Sequence, residues 1–102
     1  MRRTASGAAA YEITLAGHLD VVPPGEGWSV DPFSATLRDG QIVGRGAVDM
    51  KTAIAAMIAA SESFLAKGRP RGSISFLLTC DEEGPAVDGT KKVLEALAAD
   101  GE

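Results

Sequence analysis

The 102-residue sequence predicts an α/β fold, and three observations carry that reading. Two strand-like stretches, residues 11–17 ("YEITLAG") and 73–79 ("SISFLLT"), lie far apart in the chain. A long segment with helical apolar spacing sits between them, so the strands can pair in parallel through a crossover. Two clusters of polar residues then fall where those strands end, and in open α/β sheets sites lie beyond the carboxyl ends of the strands.

The elements follow in order. Residues 11–17 alternate and then turn apolar, which reads as a strand. Residues 21–28 ("VVPPGEGW") read as a loop, because two prolines and two glycines hold neither a ladder nor a helix. In "SATLRDGQIVGRG" (residues 34–46) two short runs flank Asp39-Gly40, a pair suited to the positive φ angles of a tight turn, and a β-hairpin is expected. The longest helix is expected from about Met50 to Lys67. Ile54, Met57, Ile58, Ser61 and Leu65 share one face, and Gly68 and Pro70 stop it. A buried strand at residues 73–79 is followed by a second helix at 90–99, with Val93, Leu94 and Leu97 inward and Asp88 or Thr90 as the cap.

Composition narrows the function. With 45% hydrophobic and 24% charged residues the chain has the balance of one small globular core. A net charge of −4 offers no electrostatic footprint for nucleic acid. The longest apolar run, residues 53–60, is far short of the ~20 residues a membrane span needs. Polar residues interrupt the start, "MRRTASGAAAYE", so a frayed N-terminus is expected there rather than a signal peptide. The single cysteine, Cys80, has no internal disulfide partner, and with no asparagine to glycosylate the natural compartment is the cytoplasm.

The polar clusters are His18-Leu19-Asp20 after the first strand and Asp81-Glu82-Glu83 after the later one, with Asp49 at the start of the long helix. The crossover brings the sole histidine and several acids to one edge. A histidine with carboxylates suits zinc or a similar divalent ion, and Asp20 is spaced to fix the ring of His18. Each motif alone is short enough to be a loop histidine or a run of solvated acids. Their shared edge puts the two readings level. Cys80 is a small buried apolar residue or, less commonly, a thiolate ligand. Trp28 and Phe33 either line a substrate mouth or pack the long loop, and Lys91 and Lys92 read as a solvated helix face. "GRGAVD" has Asp49 where a dinucleotide motif needs its third glycine, and the hairpin accounts for its glycines.

Together, "GHLDVVPPGEGW", "DPFSATLRDGQIVGRGAVDMK" and "TCDEEGPAVDGT" resemble the catalytic domain of the M20 family of metal-dependent amidohydrolases and peptidases. The likeness runs from about residue 15 to residue 97, in the same order and with similar gaps. It implies a partial three-layer α/β/α zinc-peptidase-like domain over residues 1–102. Two divalent ions, zinc or cobalt, would be held there: His18 on one, Asp49 bridging both, Glu83 on the second. Asp20 would orient His18, Glu82 would be the general acid/base, and the Asp49–Met50 peptide would be cis. Asp81 is left as a loop anchor. The implied substrate is a small N-acyl amino acid in a homodimeric parent enzyme, with neither nucleic acid nor membrane as partner. "VVPPG" and "GPA" favour members that hydrolyse N-succinyl-diaminopimelate, a step of lysine and cell-wall precursor synthesis. Members that deacylate acetylornithine or cleave peptides share much of the pattern.

The family pattern also contains a further acidic ligand, a late histidine and an inserted dimerisation domain. With one histidine in 102 residues, the sequence is expected to be the first part of the catalytic domain, inactive alone. The reading from another class is a non-catalytic metal-binding remnant that keeps the motifs.

Overall fold

A computed structural model describes residues 11–101, and the frayed start expected before them lies outside that range. Its elements are β1 (Glu12–His18), β2 (Thr36–Arg38), β3 (Gln41–Val43), α1 (Thr52–Leu65), β4 (Ser73–Thr79) and α2 (Thr90–Ala99). The chain is thus of mixed α/β class. No helix among the described residues is long and apolar enough to cross a membrane.

β1 and β4 pair in parallel, in register from Glu12 opposite Ser73 to His18 opposite Thr79. Leu19 N–H continues the ladder to the Thr79 carbonyl at 2.8 Å. Side chains alternate between the faces of a strand, so the register sorts them. Leu15, Gly17, Phe76 and Leu78 share the face on which α1 packs: a methyl at Gly17 would lie 3.1 Å from Ile54 Cγ1 and 3.2 Å from Met50 Cε. Ala16, Leu77, His18 and Thr79 share the other face, where Thr79 Oγ1 is 3.5 Å from Thr90 Oγ1 of α2. The pairing puts His18 and Thr79 side by side at the carboxyl end of the sheet, as the crossover reading expects.

β2 and β3 form a separate antiparallel hairpin, with Asp39 (φ 50°) and Gly40 (φ 76°) at its turn. Both angles are positive, as a two-residue hairpin of this kind requires. The hairpin was legible from those two residues and the short runs that flank them.

The expected helix from Met50 starts later. Asp49 and Met50 have non-helical backbone (φ −122° and −133°), the peptide between them is cis, and a turn over Ala47–Lys51 leads into α1 at Thr52. The helix ends at Leu65, before Gly68. Its inward face is narrower than expected. Ile54 and Ser61 are buried and Met57 half-buried, but Ile58 and Leu65 are exposed, because two strands cannot cover the full stripe. Likewise α2 has Val93 half-buried and Leu94 and Leu97 exposed. Neither Asp88 nor Thr90 caps α2. Gly89 holds the cap position without a side-chain bond, while the Asp88 carboxylate pairs with Lys92 one turn on. Lys91 and Lys92 are exposed, as expected of a solvated face.

Cys80 is exposed, not buried, because it is the first residue past β4, where the chain leaves the sheet. Trp28 packs within its own loop: its Nε1–H donates to the Pro24 carbonyl at 2.8 Å, and the Arg45 guanidinium lies 5.5 Å from its ring centroid. Arg45 donates to the same carbonyl at 3.1 Å. Phe33 instead lines a hollow of about 390 Å³ with Val21, Ile42 and Lys51.

Candidate metal centre

β1 delivers His18 at its last residue, the turn before α1 delivers Asp49, and the loop after β4 delivers Glu82 and Glu83. His18 is buried at 6% exposure, Glu83 is half-buried, and the Asp49 side chain is 70% exposed. One ligand atom from each of His18, Asp49 and Glu83 lies within 4.8 Å of the others. Residue types and topology pointed to His18, Asp49 and the Asp81–Glu83 run, and the family resemblance chose Glu83 among those acids; the fold brings His18, Asp49 and Glu83 together. Cys80 is not in the group.

Both ring nitrogens of His18 face oxygen acceptors. Nε2 is 3.0 Å from Asp49 Oδ1 and 3.8 Å from Glu82 Oε2. Nδ1 is 3.2 Å from the Asp20 backbone carbonyl, with the Asp20 carboxylate oxygen Oδ1 further off at 3.5 Å. A neutral ring carries one N–H and satisfies one of those neighbours, whereas an imidazolium satisfies both. Burial opposes the charge, but the hydrogen bonds to Asp49 and Asp20 and the charges of Glu82 and Asp49 outweigh it. The group is held above its ordinary value of 6.5.

The same arrangement fits a divalent ion. A cation in place of the Nε2 proton would meet a neutral imidazole nitrogen and carboxylate oxygens from Asp49 and Glu83, a donor set suited to zinc. Nδ1–H would stay on the Asp20 carbonyl, which fixes tautomer and ring orientation.

Asp20 has a second task that residue types did not suggest. Its Oδ2 accepts the backbone N–H groups of Glu82 and Glu83, each at 2.9 Å. The Glu83 N–H is the main cause holding the carboxyl below its ordinary value; burial opposes this, and the Glu82 N–H adds to it. One side chain therefore sits against His18 and also fixes the turn carrying both glutamates. No local signal announces a bond that spans 62 residues of sequence. Asp81 is a loop anchor, as expected: its Oδ2 accepts the Asp88 N–H at 2.8 Å.

Two parallel strands, a crossover helix and a histidine–carboxylate cluster at the strand ends make an α/β unit with a candidate metal site. Residues 14–102 match the model of peptidase family M20/M25/M40, and the chain belongs to that family. It is 58% identical over 98 residues to the succinyl-diaminopimelate desuccinylase of Maricaulis maris, covering 94% of this chain and 25% of the relative. With the enzyme of that name from Thiobacillus denitrificans it shares 60% identity over 100 residues, covering 94% and 25%. With that from Burkholderia pseudomallei the figure is 55% over 105 aligned positions, covering 100% and 28%. The chain spans about a quarter of the length of these curated relatives.

Proposed function

We propose that the polypeptide carrying this chain is a two-metal amidohydrolase that cleaves N-succinyl-LL-2,6-diaminopimelate to succinate and LL-2,6-diaminopimelate. The observation that carries the reading is the convergence of His18, Asp49 and Glu83 in a chain 55–60% identical to proteins bearing that activity in their names. Residues 1–102 are then the first part of a three-layer catalytic domain, whose remaining ligands and dimerisation domain come from elsewhere in the parent. A cytoplasmic biosynthetic role agrees with the lone, exposed Cys80.

In this reading His18 and Glu83 would each hold one of two zinc or cobalt ions, and Asp49 would hold both. Such ions supply Lewis acidity, polarising the amide carbonyl and lowering the pKa of the attacking water. Glu82 takes the proton of that water and delivers it to the departing amine nitrogen. Asp20 keeps the His18 ring oriented through Nδ1 and holds Glu82 and Glu83 by their backbone. Two ligands per ion are fewer than the three of a usual catalytic zinc site, so the 102 residues alone do not turn over substrate.

The test is the purified parent, supplied with Zn²⁺, assayed on N-succinyl-diaminopimelate, acetylornithine and a dipeptide. Preference for the succinyl substrate is expected. Preference for acetylornithine or for the dipeptide would replace the substrate assignment, and absence of any ion-dependent hydrolysis would leave a non-catalytic metal-binding domain.

A further inference from the structure

We propose that Lys51 is a positioning residue of the metal centre, acting through the backbone of Leu19. The inference rests on the metallohydrolase reading above and adds a residue to it.

The Leu19 peptide groups lie between the two residues that face the His18 ring environment, His18 itself and Asp20. They are held from both sides. Leu19 N–H donates to the Thr79 carbonyl at 2.8 Å, which ties the turn to β4, the strand whose end leads to Glu82 and Glu83. The Leu19 carbonyl accepts from Lys51 Nζ at 2.5 Å, which ties the same turn to the segment carrying Asp49. One residue thus joins all three segments that bear the site. An ammonium donor to a carbonyl is a charge-assisted bond, shorter and stronger than a neutral one.

The surroundings leave room for this contact. Gly46 is buried with φ 79°, its carbonyl accepts the Lys51 N–H at 2.9 Å, and a Cβ there would lie 3.2 Å from Lys51 Nζ. The same Cβ would come within 2.5 Å of Val21 Cγ1. Any side chain at Gly46 crowds the path by which the lysine reaches Leu19.

Without the ammonium, the Leu19–Asp20 peptide is free on one side. The Asp20 carbonyl then no longer holds His18 Nδ1 in place, and Nε2 and Asp49 lose their alignment for a shared ion. Loss of such an outer partner typically costs about 10–100-fold in metal affinity.

The experiment uses the ion-free parent polypeptide and Zn²⁺ alone as probe, with affinity read by chelator competition and fold by circular dichroism. Lys51→Met is expected to weaken Zn²⁺ binding by about 10–100-fold while the spectrum at saturating Zn²⁺ stays that of the wild type. Lys51→Arg, which keeps a cationic donor, recovers most of the affinity, and Lys67→Met on the exposed end of the α1 region changes nothing. Wild-type affinity in Lys51→Met overturns the proposal. So does a Lys51→Met protein that is unfolded at saturating Zn²⁺, which makes the lysine structural, or a Lys51→Arg protein no better than Lys51→Met. A wild type that binds Zn²⁺ but hydrolyses no amide removes the proposed function and leaves the positioning role standing. A wild type that binds no Zn²⁺ overturns both.

Discussion

Glu82 and Glu83 are neighbours in sequence with their backbone N–H groups on one oxygen of Asp20, yet their side chains have different surroundings. Glu83 is half-buried and grouped with His18 and Asp49, while Glu82 is 55% exposed with Oε2 at 3.8 Å from His18 Nε2. A carboxylate free of the ion can carry a proton, and one bound to it cannot. In the parent enzyme Glu82→Gln should keep its metal content while kcat falls by about 10²–10⁴-fold. Glu83→Gln should retain metal poorly and regain part of its activity in excess ion. Metal analysis and kinetics on both variants check this, and the reverse pattern would exchange the two roles. His18 gives a pH prediction for the ion-free protein. Its value is raised above 6.5, so the stability its imidazolium contributes is full below about pH 6.5 and is lost as pH rises through the higher folded value. Zn²⁺ must displace that proton, so its affinity should climb through the same interval. An NMR titration should find His18 above 6.5 in the wild type and lower in Asp49→Asn; a midpoint at or below 6.5 in the wild type counts against the pairing.

At the scale of elements, what the sequence made legible was what depends on local chemistry. Asp39-Gly40 announced the hairpin, the two apolar stretches announced β1 and β4, and the order of elements put His18, Asp49 and the Asp81–Glu83 run at one edge. What it did not reveal depends on partners distant in sequence. The late start of α1 follows from the turn at Asp49 and Met50, which helical periodicity does not register, and the Asp20 grip on Glu82 and Glu83 has no local signature. Apolar residues at Ile58, Leu94 and Leu97 signal which face wants burial, not whether these residues suffice to bury it. Where β1 meets α1 the packing is tight at Gly17. An alanine there would press on Ile54 at 3.1 Å and Met50 at 3.2 Å, side chains next to the Asp49 turn. Overpacking of this kind typically costs ~1–3 kcal/mol. Gly17→Ala in the parent should therefore lower Tm, and because Met50 adjoins Asp49 it should also weaken Zn²⁺ retention. An unchanged Tm would mean that the helix shifts without cost.

For the whole molecule, the interior is thin. Among the described residues only Ile54 and Leu77 count as buried hydrophobics, and Phe76, Leu78 and Leu94 are 39%, 40% and 52% exposed. The radius of gyration is 17.7 Å, against roughly 12–13 Å for a compact domain of this length. The extents along the principal axes are 57, 36 and 12 Å. Ordering a residue costs about 1–2 kcal/mol of backbone entropy, and burial must offset that cost over the whole chain. Among the described residues, a two-stranded sheet with both outer edges unpaired and much of its apolar surface in water falls short of doing so. The isolated 102 residues should therefore bind the dye ANS strongly and unfold over a broad range of urea, in the manner of a loosely packed state. Extending the polypeptide with the rest of its parent should quench the dye signal and sharpen the transition. The measurement is paired urea titrations followed by ANS fluorescence and far-ultraviolet circular dichroism. A steep, coincident transition with no dye binding in the short chain would show that these few buried contacts carry a fold, and the thin-core argument would be wrong.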